Sequence, residues 1–158
     1  MKNSFEVVFE KVPVQKVGEL VGELLSHASE TDRIEFSEDD APEHGYAFTP
    51  ELLSAKLAGG QELTAMILVR CFAINSAVIG LALIRVIKYD NIIDLELSFD
   101  IDGSENSTTI MQGLHRYAIE IARSFSTGDV YGGMEPASDC ATRYFTNAKS
   151  GPMPFSEG

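Results

Sequence analysis

The chain has 158 residues, of which 44% are hydrophobic and 23% charged, as in a typical globular domain. Its formal net charge of −12 argues against binding to nucleic acid or docking on an anionic membrane, because both require clustered lysine and arginine. The same charge suits a basic protein partner, a cationic substrate or solubility alone. This length predicts a single domain, residues 1–158, with one hydrophobic core.

The cysteines and the N-terminal residues indicate where the chain works. Two cysteines, Cys71 and Cys140, are too few for a disulfide framework. Cys71 falls in an apolar run, which predicts a buried free thiol. The first six residues lack the apolar core of a signal sequence, and the apolar runs are shorter than a membrane span. We therefore expect a cytoplasmic protein in a reducing compartment.

The N-terminal third predicts one strand and two helices. Residues 5–12 are rich in strand-forming types, and Pro13 then opens a helix whose apolar residues keep helical spacing to about Ala28. A second helix has Thr49 as its N-cap and Pro50 at its first position. The glycines at 59–60 end it.

The segment from Glu30 to His44 is crowded with acidic residues and does not match the spacing of a calcium-binding loop. It predicts a solvated acidic loop, which would form the interaction surface if the partner is basic. In that case, reversing two of its charges to lysine should weaken binding. The acids are Glu30, Asp32, Glu35, Glu38, Asp39, Asp40 and Glu43, and the two to reverse are Asp39 and Asp40.

Three strand-like runs follow, over residues 63–72, 77–89 and 91–100. Short junctions at 75–76 and 90–91 favour turns, so the three runs predict an antiparallel meander. The third run alternates strictly, which gives it one apolar face and one acidic face. Its apolar residues are Ile93, Leu95, Leu97 and Phe99, and its polar residues are Asp94, Glu96, Ser98 and Asp100.

The C-terminal third predicts a helix, a strand and a second helix. Ser107 or Thr108 caps a long amphipathic helix that reaches about Phe125. A short strand spans 129–134, and Asp139 caps a last helix from Cys140 to about Ala148. The fold class that follows is α+β, with a mixed, mostly antiparallel sheet flanked by helices on both faces.

This element order resembles the Gcn5-related N-acetyltransferase (GNAT) superfamily over residues 5–150. Three stretches resemble sequence motifs of that family and occur in the same order: Ala77–Ala82, Asp94–Phe99 and Ser138–Phe145. The resemblance implies transfer of an acetyl group from acetyl-CoA to an amine. In that family, the third meander strand binds the pantetheine arm and the next helix N-terminus binds the pyrophosphate. The residues implied here are Phe99 and Ile101 on the strand, and Ser107, Thr108 and Thr109 on the helix.

The phosphate loop departs from the family's pattern. Its Gln/Arg-x-x-Gly-x-Gly/Ala motif falls near Asn106, Thr109 and Met111, so the basic residue and both glycines are missing. Asp100, Asp102 and Glu105 also place negative charge where CoA phosphates would bind.

The resemblance implies two catalytic roles, a general base and a general acid. Glu96 would serve as general base for the amine, although it also fits a solvated acidic face beside Asp94. The family's general acid is a tyrosine that falls here on Phe145, which cannot donate a proton. Tyr144, one residue earlier and facing another way around the predicted helix, is the candidate in its place. Tyr131 is a third candidate, and each tyrosine also fits a buried aromatic role. Glu96→Gln should then abolish activity without unfolding the chain.

Two function classes follow. The first is the acetyltransferase. The second is a noncatalytic acidic binding protein on the same scaffold, either an immunity or inhibitor protein for a basic toxin or a subunit of a larger assembly such as a virus particle. Self-association is open in both classes. The three histidines and two cysteines show no metal-ligand spacing, so no metal is expected.

Overall fold

The computed structural model describes residues 2–37, 45–75, 77–102 and 107–153. Its helices are α1, α2 and α3, at Val17–Leu25, Pro50–Leu57 and Ser107–Phe125. Its strands β1 to β9 are Lys2–Phe9, Glu30–Thr31, Glu35–Phe36, Leu63–Ile74, Ala77–Tyr89, Ile92–Asp102, Val130–Met134, Arg143–Thr146 and Lys149–Ser150. Single 3-10 turns occur at Val14–Lys16 and Cys140–Thr142.

The strands form one sheet in the order β2-β4-β5-β6-β1-β7-β8-β9, with β3 also paired to β4. Every pairing in the described ranges is antiparallel. The first strand lies at the centre, because β1 pairs with β6 on one side and with β7 on the other. The expected α+β class with a mostly antiparallel sheet is therefore confirmed.

One face of the sheet, which we call the inner face, carries the core. Along β1 it presents Phe5, Val7 and Phe9, all at most 3% exposed. The apolar stripes of α1, α2 and α3 belong to the same buried cluster. Strand alternation sends every second residue to this face, and amphipathic helices cover it.

The opposite, outer face has no helix over it in the described ranges. The segment 135–142 covers part of it, beside β1 and β7, where Val8, Tyr131 and Ala137 make a small separate cluster. The prediction of helices on both faces is wrong. An antiparallel sheet needs only one buried face, and the half-buried outer residues of β4 to β6 are tolerated without a covering layer.

The predicted last helix is also wrong. The side chain of Asp139 does accept a hydrogen bond from the Ala141 amide, but one 3-10 turn follows and the chain then enters β8. Gly132 on β7 lets β8 pack closely, because a Cβ there would lie 2.7 Å from the Phe145 ring. Sheet pairing and burial of Phe145 outweigh the local helix signal.

Three smaller expectations are corrected. Strand β1 spans Lys2–Phe9 rather than 5–12, and the first helix ends at Leu25 rather than Ala28. Cys71 is exposed rather than buried. Its φ of 54° interrupts β4 locally, so that Cys71 and the opposite Gly80 are both left out of the pairing, which continues in unchanged register from Arg70↔Leu81 to Phe72↔Ile79.

Candidate functional site

The two predicted catalytic residues lie on opposite faces of the sheet. Glu96 is on the outer face, paired with Val8 of β1 and Arg85 of β5. Tyr144 is 5% exposed and packs against Phe5 of the inner face, with its hydroxyl 3.5 Å from the Ser107 Oγ. A general base and a general acid separated by the sheet cannot act on one substrate.

The predicted cofactor-binding residues do not form a free strand edge. Phe99 and Ile101 are buried in the inner core, and β6 pairs with β1 along its whole facing edge, from Leu95 to Asp102. A pantetheine arm would need those backbone groups. In the first turn of α3, Ser107 and Thr108 are half-buried and Thr109 is exposed, whereas residues 103–106 lie outside the described ranges.

The outer face is the strongest candidate for a functional surface, because carboxylates gather there from strands far apart in the sequence. Strand alternation places three of them on β6 and two along β1 and its end, and the 135–142 segment adds another. The six are Glu6, Glu10, Asp94, Glu96, Asp100 and Glu135. Two arginines, Arg85 and Arg143, lie among them.

Arg85 connects two of these carboxylates loosely. Its Nε lies 3.6 Å from Glu96 Oε1 and its Nη2 lies 3.8 Å from Glu135 Oε1. Burial, reinforced by the neighbouring charge of Glu6, raises the pKa of Glu96 above its usual range in spite of Arg85. Arg85 therefore does not neutralise the negative charge around Glu96.

Two tyrosines donate hydrogen bonds to the carboxylates at the end of the outer face that holds Glu10 and Asp94. Tyr89 Oη donates to Asp94 at 2.8 Å, and this bond raises the pKa of Tyr89 to about 12. Tyr131 Oη donates to Glu10 at 3.4 Å, and burial followed by the charge of Glu10 raises its pKa to about 12. Both phenols stay protonated near neutral pH, so they act as hydrogen-bond donors and not as acids.

The 135–142 segment is held against the outer face by a buried carboxylate. Glu6 is 6% exposed, and its Oε1 accepts a 2.7 Å hydrogen bond from the Ala137 amide. Arg143 secures the same segment from the other side, because its Nε donates to the Ala137 carbonyl at 2.7 Å and its guanidinium lies 3.9 Å above the Tyr131 ring. These contacts fix the position of Glu135.

Apolar side chains lie beside the carboxylates, on the neighbouring strands β4 and β5. Met66, Leu68, Leu83 and Ile87 are half-buried on the outer face, and Leu81 is 52% exposed. A hollow of about 180 Å³ is lined by leucines of β4 and β5 and by residues of β6 and the 135–142 segment. Protein–protein interfaces usually combine such an apolar patch with adjoining polar and charged residues.

The remaining predicted features contribute little to this surface. In the acidic segment, Asp32 pairs with Arg70 at 2.7 Å, while Asp39 and Asp40 lie outside the described ranges. Within the described part of the chain, no group of three histidine, cysteine or acidic side chains could hold a metal ion. No helix described here has the length and apolarity needed to cross a membrane.

Sequence reasoning found half of this surface. The alternation of β6 identified Asp94, Glu96 and Asp100 as one polar face. It missed Glu6, Glu10 and Glu135, because the pairing of β1 beside β6 is a long-range contact without a local signal. The available signal was that Glu6 and Val8 lie two residues apart in the first strand, which places both side chains on the same face.

The family comparison matches this noncatalytic geometry. A model of the PABL017 Cdi1I immunity protein family matches residues 3–150. A chain in the crystal structure of the toxic C-terminal tip of CdiA from Pseudomonas aeruginosa in complex with immune protein has a TM-score of 0.89 and 30% identity to this chain, covering 98% of this chain and 100% of that one. No match was found among curated proteins.

These findings overturn the resemblance to the GNAT superfamily and, with it, the acetyltransferase activity and acetyl-CoA as cofactor. The physical reason lies in the topology, because β1 occupies the place beside β6 where the cofactor's strand edge was expected. The second function class, a noncatalytic protein that acts against a toxin, is confirmed, and the chain belongs to the Cdi1I family of immunity proteins.

Proposed function

We propose that this chain confers immunity by binding the toxic C-terminal tip of a CdiA-type protein through the outer face of its sheet. The observation that carries the proposal is that face itself. It lacks a helical layer in the described ranges, and it combines six carboxylates with exposed or half-buried leucines. The solved relative was crystallised with a CdiA toxic tip, which supports the class of partner.

The apolar residues argue against a face that serves solubility alone. Val78 is 61% exposed and Leu81 is 52% exposed on β5, and Leu81 lies two residues from the half-buried Leu83. A solvated sheet face would place polar residues at these positions. Contiguous exposed apolar residues with a polar rim mark a binding surface.

The charge predicts a basic contact surface on the toxin. The chain has a net charge of −12, and the six outer carboxylates exceed the two arginines among them. Complementary charge would accelerate association and reject acidic partners. The other alternative, a subunit of a larger assembly such as a virus particle, is not part of this proposal.

We also propose that the chain acts as one domain in the cytoplasm. Helices from both halves of the chain share a single buried cluster, which supports one folding unit. Cys71 and Cys140 are both free and exposed, and exposed thiols persist in a reducing compartment.

The test is growth rescue together with binding. The probes are the Pseudomonas aeruginosa CdiA toxic tip and the CdiA-type tip from the genome that encodes this chain. Co-expression of the chain should restore growth against at least one tip, and calorimetry should show a saturable complex that weakens as salt rises. If neither tip is bound or neutralised, the proposal is wrong.

The surface is tested with lysine substitutions. Met66→Lys and Ile87→Lys place a cation on the outer face, and either should reduce affinity at least about tenfold by adding like charge against a basic toxin. Val14→Lys is the matched control, because Val14 is 45% exposed beside α1 and away from this face. Full affinity in both outer-face variants would place the contact surface elsewhere.

A further inference from the structure

The hollow on the outer face lies where two neighbouring strands separate. Pairing between β5 and β6 starts at Ala82 and Phe99, although β5 begins five residues earlier and β6 continues to Asp102. The hollow is lined at this fork and has a volume of about 180 Å³. A cavity of about 150 Å³ accepts a benzene-sized group, so this one has room for a single large side chain.

The lining of the hollow is divided by chemistry. Leu68, Leu81 and Leu83 provide an apolar wall. Two acidic residues, Asp100 and Glu135, and the polar Ser98 line it from β6 and the 135–142 segment. Such a division suits a side chain that is apolar along its length and cationic at its end.

Among the described side chains, Asp100 has no cationic partner and Glu135 has only a loose ion pair with Arg85. Asp100 Oδ1 accepts a 2.7 Å hydrogen bond from the Ser4 hydroxyl, which carries no charge. Glu135 is 39% exposed, and its nearest guanidinium nitrogen, on Arg85, is 3.8 Å away, beyond hydrogen-bond distance. Arg85 does not line the hollow.

We propose that this hollow receives one arginine side chain of the toxin, and that this contact is a principal source of binding energy in the complex. The inference rests on the proposed function. The aliphatic part of the arginine lies along Leu81 and Leu83, and its guanidinium donates to Asp100 and Glu135. Arginine fits better than lysine, because its planar head reaches two carboxylates at once and is weakly hydrated.

Other occupants fit less well. An apolar side chain would bury Asp100 with only the uncharged Ser4 hydroxyl as partner and Glu135 with only its loose ion pair to Arg85, and burial without a close countercharge is costly for a carboxylate. An acidic side chain would add a third like charge. Arginine is also among the residues that most often dominate binding energy at protein interfaces, in pockets that exclude water.

The first test measures affinity for whichever toxic tip binds the unaltered chain. Asp100→Asn keeps the acceptor for Ser4 and removes the charge, and Leu81→Ser removes the apolar wall. Each should weaken binding by about 10- to 100-fold, as loss of a principal contact does. The matched controls are Glu120→Gln and Val14→Ser, which remove an exposed charge on α3 and an exposed apolar side chain beside α1; both should bind as the unaltered chain does.

The outcomes separate this inference from the proposed function. If the unaltered chain binds no tip, the proposed function fails. If the unaltered chain binds and both hollow variants bind the tip as tightly as it does, the toxin contacts another part of the chain. The arginine proposal is then overturned while the proposed function stands.

A second measurement requires no toxin. The isotope-labelled chain is titrated with arginine amide, and with citrulline amide as the uncharged isostere. The leucine methyl signals of Leu81 and Leu83 should shift with arginine amide and not with citrulline amide, and Asp100→Asn should remove the shift. Equal responses to the two amides, or no response to either, would overturn the proposal.

Discussion

Glu6 is the residue whose removal tests how the outer face is organised. Its carboxylate is 6% exposed and accepts a 2.7 Å hydrogen bond from the amide of Ala137, which is itself fully buried. This bond anchors the 135–142 segment to β1, and the segment carries Glu135 to the edge of the hollow. Glu6→Ala deletes the acceptor and leaves a buried amide without its partner.

The expected loss follows from these contacts. A hydrogen bond to a charged group contributes about 1.5–3 kcal/mol, and a buried amide left unpaired costs a similar amount, so the two describe one effect. Removal of the Glu6 charge also relieves repulsion on Glu96, which offsets part of the loss. We expect a net decrease in the free energy of unfolding of about 2 kcal/mol, or roughly 4–8 °C in the midpoint of thermal unfolding for a chain of this size.

The assay is urea unfolding of the unaltered chain, Glu6→Ala and Glu6→Gln, with the denaturant slope compared to confirm that all three unfold alike. Glu6→Gln keeps an acceptor oxygen for the Ala137 amide and should retain most of the stability. A Glu6→Ala chain within about 0.5 kcal/mol of the unaltered chain, which is typical of surface substitutions, would refute this account of the anchor.

Two further predictions concern single ionisable residues. Glu96→Gln should raise the free energy of unfolding at neutral pH, because burial raises the pKa of Glu96 and its ionised form is unfavourable in the folded chain. The gain in stability should shrink as pH falls towards that raised pKa. Urea unfolding at several pH values measures this, and a gain that grows as pH falls would contradict the prediction. Lys88→Met should lower stability by about 2–4 kcal/mol, because the Lys88 ammonium donates to the carbonyls of Leu57 and Gly59 at the end of α2, while toxin affinity should stay within about twofold because Lys88 faces the inner side.

Local sequence patterns predict the meander and the long helix, because the alternation or apolar stripe of each element lies within its own stretch of sequence. Strands β4, β5 and β6 and helix α3 were each recognised from alternation, turn residues or an apolar stripe. The C-terminal strand β8 was not, because the stretch ending in Tyr144 and Phe145 carries a helix-like cap and becomes a strand through pairing with Gly132 and Gly133. The place of β1 between β6 and β7 could not be predicted either, since the sequence of a strand does not indicate which distant strand it pairs with.

The functional error came from the same source. Topology was inferred from element order, and element order is shared by folds that differ in which strand lies beside which. Placing β1 next to β6 removes the strand edge that a cofactor would use, and it brings Glu6 beside Ser98 and close to the charge of Glu96. One long-range pairing thus removes the strand edge that the resemblance required and builds the acidic outer face on which the proposed function depends.

That surface is expected to be unfavourable in the free chain and favourable in the complex. Burial and the charge of Glu6 raise the pKa of Glu96, so its ionised form lowers stability until a cation approaches. Glu96→Gln should therefore change stability and toxin affinity in opposite directions, with a more stable chain that binds a basic toxin less tightly. A purely structural role for Glu96 predicts that both change together. Unfolding and binding measured on the same preparation distinguish the two, because a parallel loss of stability and affinity would show that Glu96 supports the fold and not the contact.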